Sequence, residues 1–249
     1  MSKENLNFSK KKILLTRPLE DSLEISKKIS KRFDIYLTPL LEIKSINNRI
    51  DCITEIDIII FTSKNGLRHF NGKSYIEKQL IFTIGSGTKE LANKEGIDNV
   101  INVDGDLKKL QLKIKPYLKK KMKILHPTSQ KKNLELELFF KENDCSYISF
   151  SCYESIKINK NKLKFKKFMK NSDDGIITLF SSKTAESFKS ELISTECEKY
   201  CRYKNLIVLS KQIFNKVSDL NFKQVEVTDK PNLESAIKRI EQFLDWRKS

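Results

Sequence analysis

Two stretches of this 249-residue chain place hydroxyl side chains where α/β proteins bind and transform ligands. IDIIIFTSKNGLRHF begins at Ile56 and GIITLFSSKTAESF begins at Gly175. Each runs several apolar residues into Phe, a Thr/Ser-Ser pair and a lysine, and then takes up helical spacing. Such hydroxyls at a strand end, beside the free N–H groups of the next helix, suit an anion. Serine and threonine are equally ordinary helix caps, and that plainer reading stands beside the functional one.

The elements that must position these residues follow from the apolar runs. They are unbroken rather than alternating, which predicts parallel strands covered by helices on both faces, with ligands at their carboxyl ends. KILLTRP (Lys12 to Pro18) and KILHPTS (Lys123 to Ser129) repeat a basic start, a short strand and a Thr, Pro or Ser exit. LIFTIGSGTKELANKEG (Leu80 to Gly96) reads as strand, glycine turn and helix, with LIVLSKQIFNKV (Leu206 to Val217) as its later counterpart. In linear order the chain is two weakly similar halves.

Composition narrows the function class. The net charge of +16 suggests nucleic acid, but lysine supplies 41 of the 48 basic residues while alanine occurs three times and glycine seven. That is the pattern of an AT-rich coding sequence, and it predicts a solvated lysine surface. No stacking-aromatic motif accompanies the charge. The field still attracts a polyanionic substrate. No run of about 18 apolar residues offers a membrane span. The opening MSKENLNFSKKK has no apolar segment to act as a secretory signal. The expectation is a cytoplasmic monomer with no nucleic-acid or membrane partner. Cys52, Cys145, Cys152, Cys197 and Cys201 show no ligand-type pairing with His69 or His126, which predicts reduced structural thiols and no metal.

Two extended segments suggest where the domains meet. FDIYLTPLLEIKSI (Phe33 to Ile46) lacks a helical period, and CSYISFSCYESIKI (Cys145 to Ile158) alternates small, aromatic and β-branched residues. If they pair as a connector, residues 1–38 and 155–249 form one α/β domain and residues 39–154 form a domain inserted into it. A simple division near residue 120 is the alternative, and periodicity does not decide between them.

An ordered series of short motifs carries a resemblance along almost the full length. These are Thr16-Arg17-Pro18, Pro39-Leu40, Phe61-Thr62-Ser63 with Asn65-Gly66, Gly85 and Thr88 in a G-x-x-T turn, and Tyr153-Glu154. Phe180-Ser181-Ser182 with Thr184-Ala185 and Phe188 follow, then Pro231 before a last helix holding Ala236 and Ile237. In this order and spacing the chain resembles the uroporphyrinogen-III synthase family.

The resemblance implies a bilobed α/β protein, two flavodoxin-like parallel-sheet domains joined by a two-stranded connector, using neither metal nor organic cofactor. It implies the substrate hydroxymethylbilane, a linear polycarboxylate closed to uroporphyrinogen III with ring D inverted in tetrapyrrole (heme) biosynthesis. Loss of the terminal hydroxyl gives an azafulvene. Attack at the substituted carbon of ring D forms a spiro intermediate, whose fragmentation and recyclisation invert the ring. Unassisted cyclisation gives the uninverted isomer, so positioning should outweigh acid–base catalysis.

Tyr153 matches the family's connector tyrosine and is the candidate general acid for hydroxide departure, with a hinge-packing role as its alternative. Ser63 and Asn65, and at the corresponding place Ser182 and Thr184, are expected to contact carboxylates. Gly85 and Thr88 hold a further side chain, and Arg17 pairs with a carboxylate or serves as a surface ion pair. Lys64 and Lys183, in equivalent places, add charge or reach solvent.

Two departures weaken the pattern. The C-terminal Gly-x-x-Thr turn is Ser210-Lys211-Gln212-Ile213 here, leaving Ser210 as a partial substitute. After the strand at Ile124 the family's Gly/Arg-containing loop is replaced by His126-Pro127-Thr128-Ser129 and then Lys131-Lys132. Ser129 remains a candidate contact, and His126 is a second acid or a structural histidine. A non-catalytic anion-binding or regulatory module on the same scaffold, and a nucleic-acid-binding α/β protein, are the competing readings.

Overall fold

The computed structural model describes residues 10–48, 50, 53–76, 78–129, 133–171 and 174–245. Residues 1–9, Cys52, Lys131 and Lys132 lie outside them. The chain divides into two compact units, Met1–Glu42 with Ile156–Ser249, and Ile43–Ser155. It opens with β1 (Lys11–Leu15), α1 (Leu19–Ile29) and β2 (Phe33–Leu37), and passes through β3 (Leu41–Ser45). The second unit follows with β4 (Ile58–Phe61), α2 (Lys64–Arg68), β5 (Leu80–Ile84), α3 (Ser86–Lys94), β6 (Val100–Val103) and α4 (Leu107–Ile114). It closes with β7 (Lys123–Ser129), α5 (Leu134–Glu142) and β8 (Ser146–Lys157). The chain then returns to the first unit through α6 (Lys162–Lys170), β9 (Ile176–Leu179), α7 (Ser182–Thr195), β10 (Asn205–Val208), α8 (Lys211–Asn215), β11 (Gln224–Val227) and α9 (Leu233–Asp245).

The first unit's sheet has the order β2-β1-β9-β10-β11, with β1 beside β9 in the register Leu14↔Ile177. Counted within the unit this is 2-1-3-4-5, the flavodoxin order. Its unbroken apolar strands split their side chains between two cores. Leu14, Ile177 and Leu206 pack with Phe165 and Phe188 from α6 and α7, whereas Ile13, Ile176 and Ile207 pack with Ile25 and Ile240 from α1 and α9. Burying both faces is what makes period-two polarity unnecessary.

The second unit's sheet runs β3-β8-β7-β4-β5-β6, and its β4–β8 part reads 3-2-1-4-5 from the β6 edge. Hydrogen bonds from Ile46 N–H to the Cys152 carbonyl (2.9 Å) and from Ile158 N–H to the Leu40 carbonyl (3.1 Å) join β3 to β8. They run antiparallel, since the partner's number falls as β3 advances. Ile59 and Phe61 face Leu67 and Ala92 of α2 and α3, while Ile58 and Ile60 face Leu110, Leu136 and Phe140 of α4 and α5. Strand order reverses between β1 and β9 in one unit and between β4 and β7 in the other. At such switch points the loops diverge and leave a crevice.

At the second switch point, sequence and backbone are tightly linked. Pro127 sits in β7 without an N–H to donate, and the paired residues of β4 and β7 end at Ile59 and Leu125. Beyond them α2 comes so close that a Cβ on Gly66 would lie 2.5 Å from the Pro127 carbonyl oxygen. Glycine inside a five-residue helix costs roughly 1 kcal/mol, and this contact is the reason for it. Gly66→Ala is expected to destabilise the protein by about 1–3 kcal/mol, the usual cost of overpacking. An unchanged urea midpoint would show that α2 has room to move away.

Candidate active site at the carboxyl end of the second unit

Ser63 caps α2. Its backbone is extended (φ −155°, ψ 154°), and its Oγ accepts a hydrogen bond from Gly66 N–H at 3.1 Å. The same Oγ lies 3.4 Å from the Tyr153 hydroxyl on β8. A register shift between Thr128 and Ser129 brings this about, because it sets Ser129 opposite Tyr153 where Thr128 faces Ser151. A bulge re-aims the side chain that follows it. Ser129, set opposite Tyr153 in the ladder, brings its hydroxyl near enough to the phenol to lower its pKa. Ser63, Ser129 and Tyr153 therefore converge from β4, β7 and β8 at the switch point.

Burial raises the Tyr153 pKa above its ordinary value, and the Ser63 and Ser129 hydroxyls oppose that shift. The phenol keeps its proton at neutral pH and is a donor rather than a base. His69, at the C-terminus of α2, packs its ring 5.9 Å from the Tyr153 ring, with Nδ1 2.7 Å from Ser45 Oγ on β3. The aromatic body of Tyr153 is thus held by packing, with the hydroxyls of Ser63 and Ser129 beside its own. Both the acid and the packing reading of this residue have a physical basis.

Next to this cluster, Gly85 takes φ +83° to start α3, and its carbonyl accepts from Thr88 N–H at 3.1 Å. Thr88 is buried. Lys64 reaches over the same helix start, since a Cβ on Gly87 would meet its Cε at 2.8 Å and Nζ at 3.3 Å. An ammonium beside the positive end of a helix dipole is a place for an anion. Asn65 receives a 3.3 Å hydrogen bond from Arg68 within α2.

In the first unit the cap falls one residue earlier than the motif alignment implies. Ser181, not Ser182, accepts from Thr184 N–H (3.1 Å), with φ −152° and ψ 154°, and its Oγ is 2.8 Å from Thr184 Oγ1. Ser182 is the first residue of α7, which makes Lys64 and Ser182 the structural counterparts. Lys64 and Lys183 do not occupy equivalent places. β9 ends at Leu179 where β4 ends at Phe61, so Phe180 is already outside its strand. Phe180 instead lies 4.8 Å below the Arg17 guanidinium, which also pairs with Asp21 at 2.6 Å. Arg17 is therefore held at the β1/β9 switch point, and the carboxylate it meets is its neighbour on α1. Ser210 caps α8 through Ile213 N–H at 3.3 Å, so the missing glycine turn is replaced by an ordinary serine cap.

A sequence model of the family described as HEM4, uroporphyrinogen-III synthase HemD, matches residues 24–238. The chain belongs to the uroporphyrinogen-III synthase family. Members are lyase-type enzymes of tetrapyrrole and heme biosynthesis, and nothing in the comparisons favours a non-catalytic relative. A search of curated proteins gave no match. Among solved structures, uroporphyrinogen-III synthetase from Helicobacter pylori is 15% identical, with a TM-score of 0.59 over 94% of this chain and 99% of that one. A mutant uroporphyrinogen III synthase from Thermus thermophilus is 12% identical, with a TM-score of 0.54 over 95% and 99%. At such identities these structures establish the shared two-domain α/β fold.

Within this family fold, the residues that sequence reading overlooked are Ser181, Gly87 and His69. Two adjacent serines hid which one caps α7. Gly87 and His69 gain meaning only from contacts across elements. Among the described residues no cluster of His, Cys, Asp and Glu could hold a metal, and no helix is long and apolar enough to cross a membrane. Cys145, Cys152, Cys197 and Cys201 are free and buried. Burial pushes the thiols of Cys152 and Cys201 up to about 12, and both stay protonated.

Proposed function

We propose that Tyr153 donates the proton that lets the hydroxyl of hydroxymethylbilane leave as water, and that Ser63 and Ser129 aim it. The observation that carries this is the convergence of the Tyr153 phenol with Ser63 Oγ, at 3.4 Å, and with the Ser129 side chain at a switch point. Departure of that water leaves an N-protonated, electrophilic azafulvene on the substrate, and the phenolate regains its proton as the pyrrole N–H is given up. The hydroxyl cluster assists that step, and the later ring-D bond changes depend on how the carboxylate side chains are held. Ser63, Asn65, Gly85 and Thr88, with Lys64 over the start of α3, are the proposed carboxylate contacts of this unit. Arg17, Ser182, Thr184 and Ser210 are those of the other unit. We also propose a cytoplasmic monomer, checked by elution at the mass of one chain.

The test supplies porphobilinogen and hydroxymethylbilane synthase and separates the oxidised product isomers. Type III product is expected with the wild-type chain. Type I alone, at the uncatalysed rate, would leave a binding module. The carboxylate assignment has its own test in paired variants. Aspartate is a good cap and suits the first turn of a helix, so Ser63→Asp with Ser182→Asp should fold while opposing substrate carboxylates. Its KM should exceed that of the double alanine variant by roughly 10-fold, through like-charge repulsion. Equal KM values in two folded double variants would remove these serines from the binding site.

A further inference from the structure

Tyr147, His126 and Thr62 form a polar chain that the proposed chemistry does not use. His126 is 2% exposed, in β7. Its Nδ1 is 2.7 Å from the Tyr147 hydroxyl on β8, and its Nε2 is 2.9 Å from Thr62 Oγ1, one residue beyond β4. Each hydroxyl can donate or accept, so either neutral tautomer of the ring is satisfied. Phe140 of α5 stacks on Tyr147 at 5.6 Å with an interplanar angle of 13°, which fixes the far end. The imidazole thus spans three neighbouring strands, β8, β7 and β4.

Thr62 needs such a tie. The paired residues of β4 with β5 end at Phe61, and those of β4 with β7 end at Ile59. Thr62 directly precedes Ser63. The Ser63 cap fixes Ser63 relative to α2, and Cys152 Sγ on β8 reaches the Gly66 carbonyl of α2 at 3.5 Å, but neither contact holds Thr62 itself. Because β7 is itself paired with β8 from Lys123↔Ser146 to Ser129↔Tyr153, the His126–Thr62 bond locates Thr62 against the strand that carries the phenol, and the Tyr147 bond steadies the ring. A buried, fully satisfied polar chain of this kind specifies position more than it adds stability.

We propose that His126 is a positioning residue, which holds Thr62 so that the following Ser63 meets the Tyr153 hydroxyl. Its effect on rate rests on the proposed role of Tyr153. Its effect on geometry does not.

The test uses His126→Asn and His126→Gln. The asparagine amide reaches the place of Nδ1 and keeps the Tyr147 contact, whereas the glutamine amide reaches the place of Nε2 and keeps the Thr62 contact. Fluorotyrosine placed at position 153 alone reports the phenol's surroundings by 19F NMR, and steady-state kinetics report the reaction. His126→Asn is expected to move the resonance and lower kcat roughly 10-fold with KM nearly unchanged, as a small misplacement near the reacting atoms does. His126→Gln should restore both. Thr62→Val, which removes the partner hydroxyl without touching the buried ring, should repeat the His126→Asn result. A resonance and kcat at wild-type values in His126→Asn and Thr62→Val, with only a lower melting temperature, would make His126 a core residue and overturn the proposal. If Tyr153→Phe turns over normally while His126→Asn still moves the resonance, positioning stands and the acid role of Tyr153 falls.

Discussion

Tyr153→Phe is expected to slow formation of the type III isomer roughly 10-fold or more, within the usual range of a lost general acid, while leaving the melting temperature close to wild type. Phenylalanine keeps the ring that packs against His69 at 5.9 Å and removes only the hydroxyl that meets Ser63. Tyr153→Ala should add a stability loss of about 2 kcal/mol, less than for a fully buried aromatic because the residue is only half-buried. The two variants separate acid from scaffold. Initial rates of type III product, read beside thermal melts, are the measurement. A Phe variant at the wild-type rate and an Ala variant that is merely less stable would assign Tyr153 to the fold and leave conformational control as the whole mechanism. Burial raises the phenol pKa, so ionisation of Tyr153 should cause no loss of rate below about pH 10, its ordinary value.

Acid should destabilise this protein through His126 over a defined window. Burial lowers the imidazole pKa from 6.5 to about 4 in the folded state. Its polar partners there are the neutral hydroxyls of Thr62 and Tyr147, and burial pushes the latter up to about 12 with a smaller contribution from Glu137. Between these two pH values the unfolded chain binds the proton and the folded chain does not, so stability falls as pH falls. The contribution is fully present above pH 6.5 and lost by pH 4. At 1.36 kcal/mol per unit it amounts to about 3 kcal/mol. Urea midpoints of wild type and His126→Gln at about pH 7, 5.5 and 4 measure it, since carboxylates titrating in the same window affect both proteins alike. Parallel curves would mean that the buried imidazole accepts its proton without cost.

Much of the secondary structure was legible in local pattern. The runs IDIIIF and GIITLF became β4 (IIIF) and β9 (IITL) because short, fully buried runs bounded by turn residues suit a strand covered on both faces. FDIYL and LEIKS, lacking helical period, became β2 and β3, and SYISFSCYESIK became β8. Serine and glycine at strand exits marked the starts of α2, α3, α7 and α8, since caps and positive-φ turns are chosen by the nearest few residues. The order of these local signals also carried the family resemblance.

Position across the sheets was not legible in the same way. Nothing local distinguishes Ser181 from Ser182 as a cap, because both can accept the same kind of N–H bond. The choice follows from where β9 leaves its neighbours and where Phe180 packs beneath Arg17. The pairing of β1 with β9 across the intervening unit, and the strand order that creates each switch point, are contacts between distant residues. The convergence of Ser63, Ser129 and Tyr153 depends on the β4–β7 pairing stopping at Ile59↔Leu125 and on a one-residue register shift after Thr128. Sequence determined the chemical character of these groups, their local elements and the family they belong to. Tertiary structure decided which of them meet, because strand register is set by the simultaneous burial of two helix layers rather than by the residues on either side of a turn.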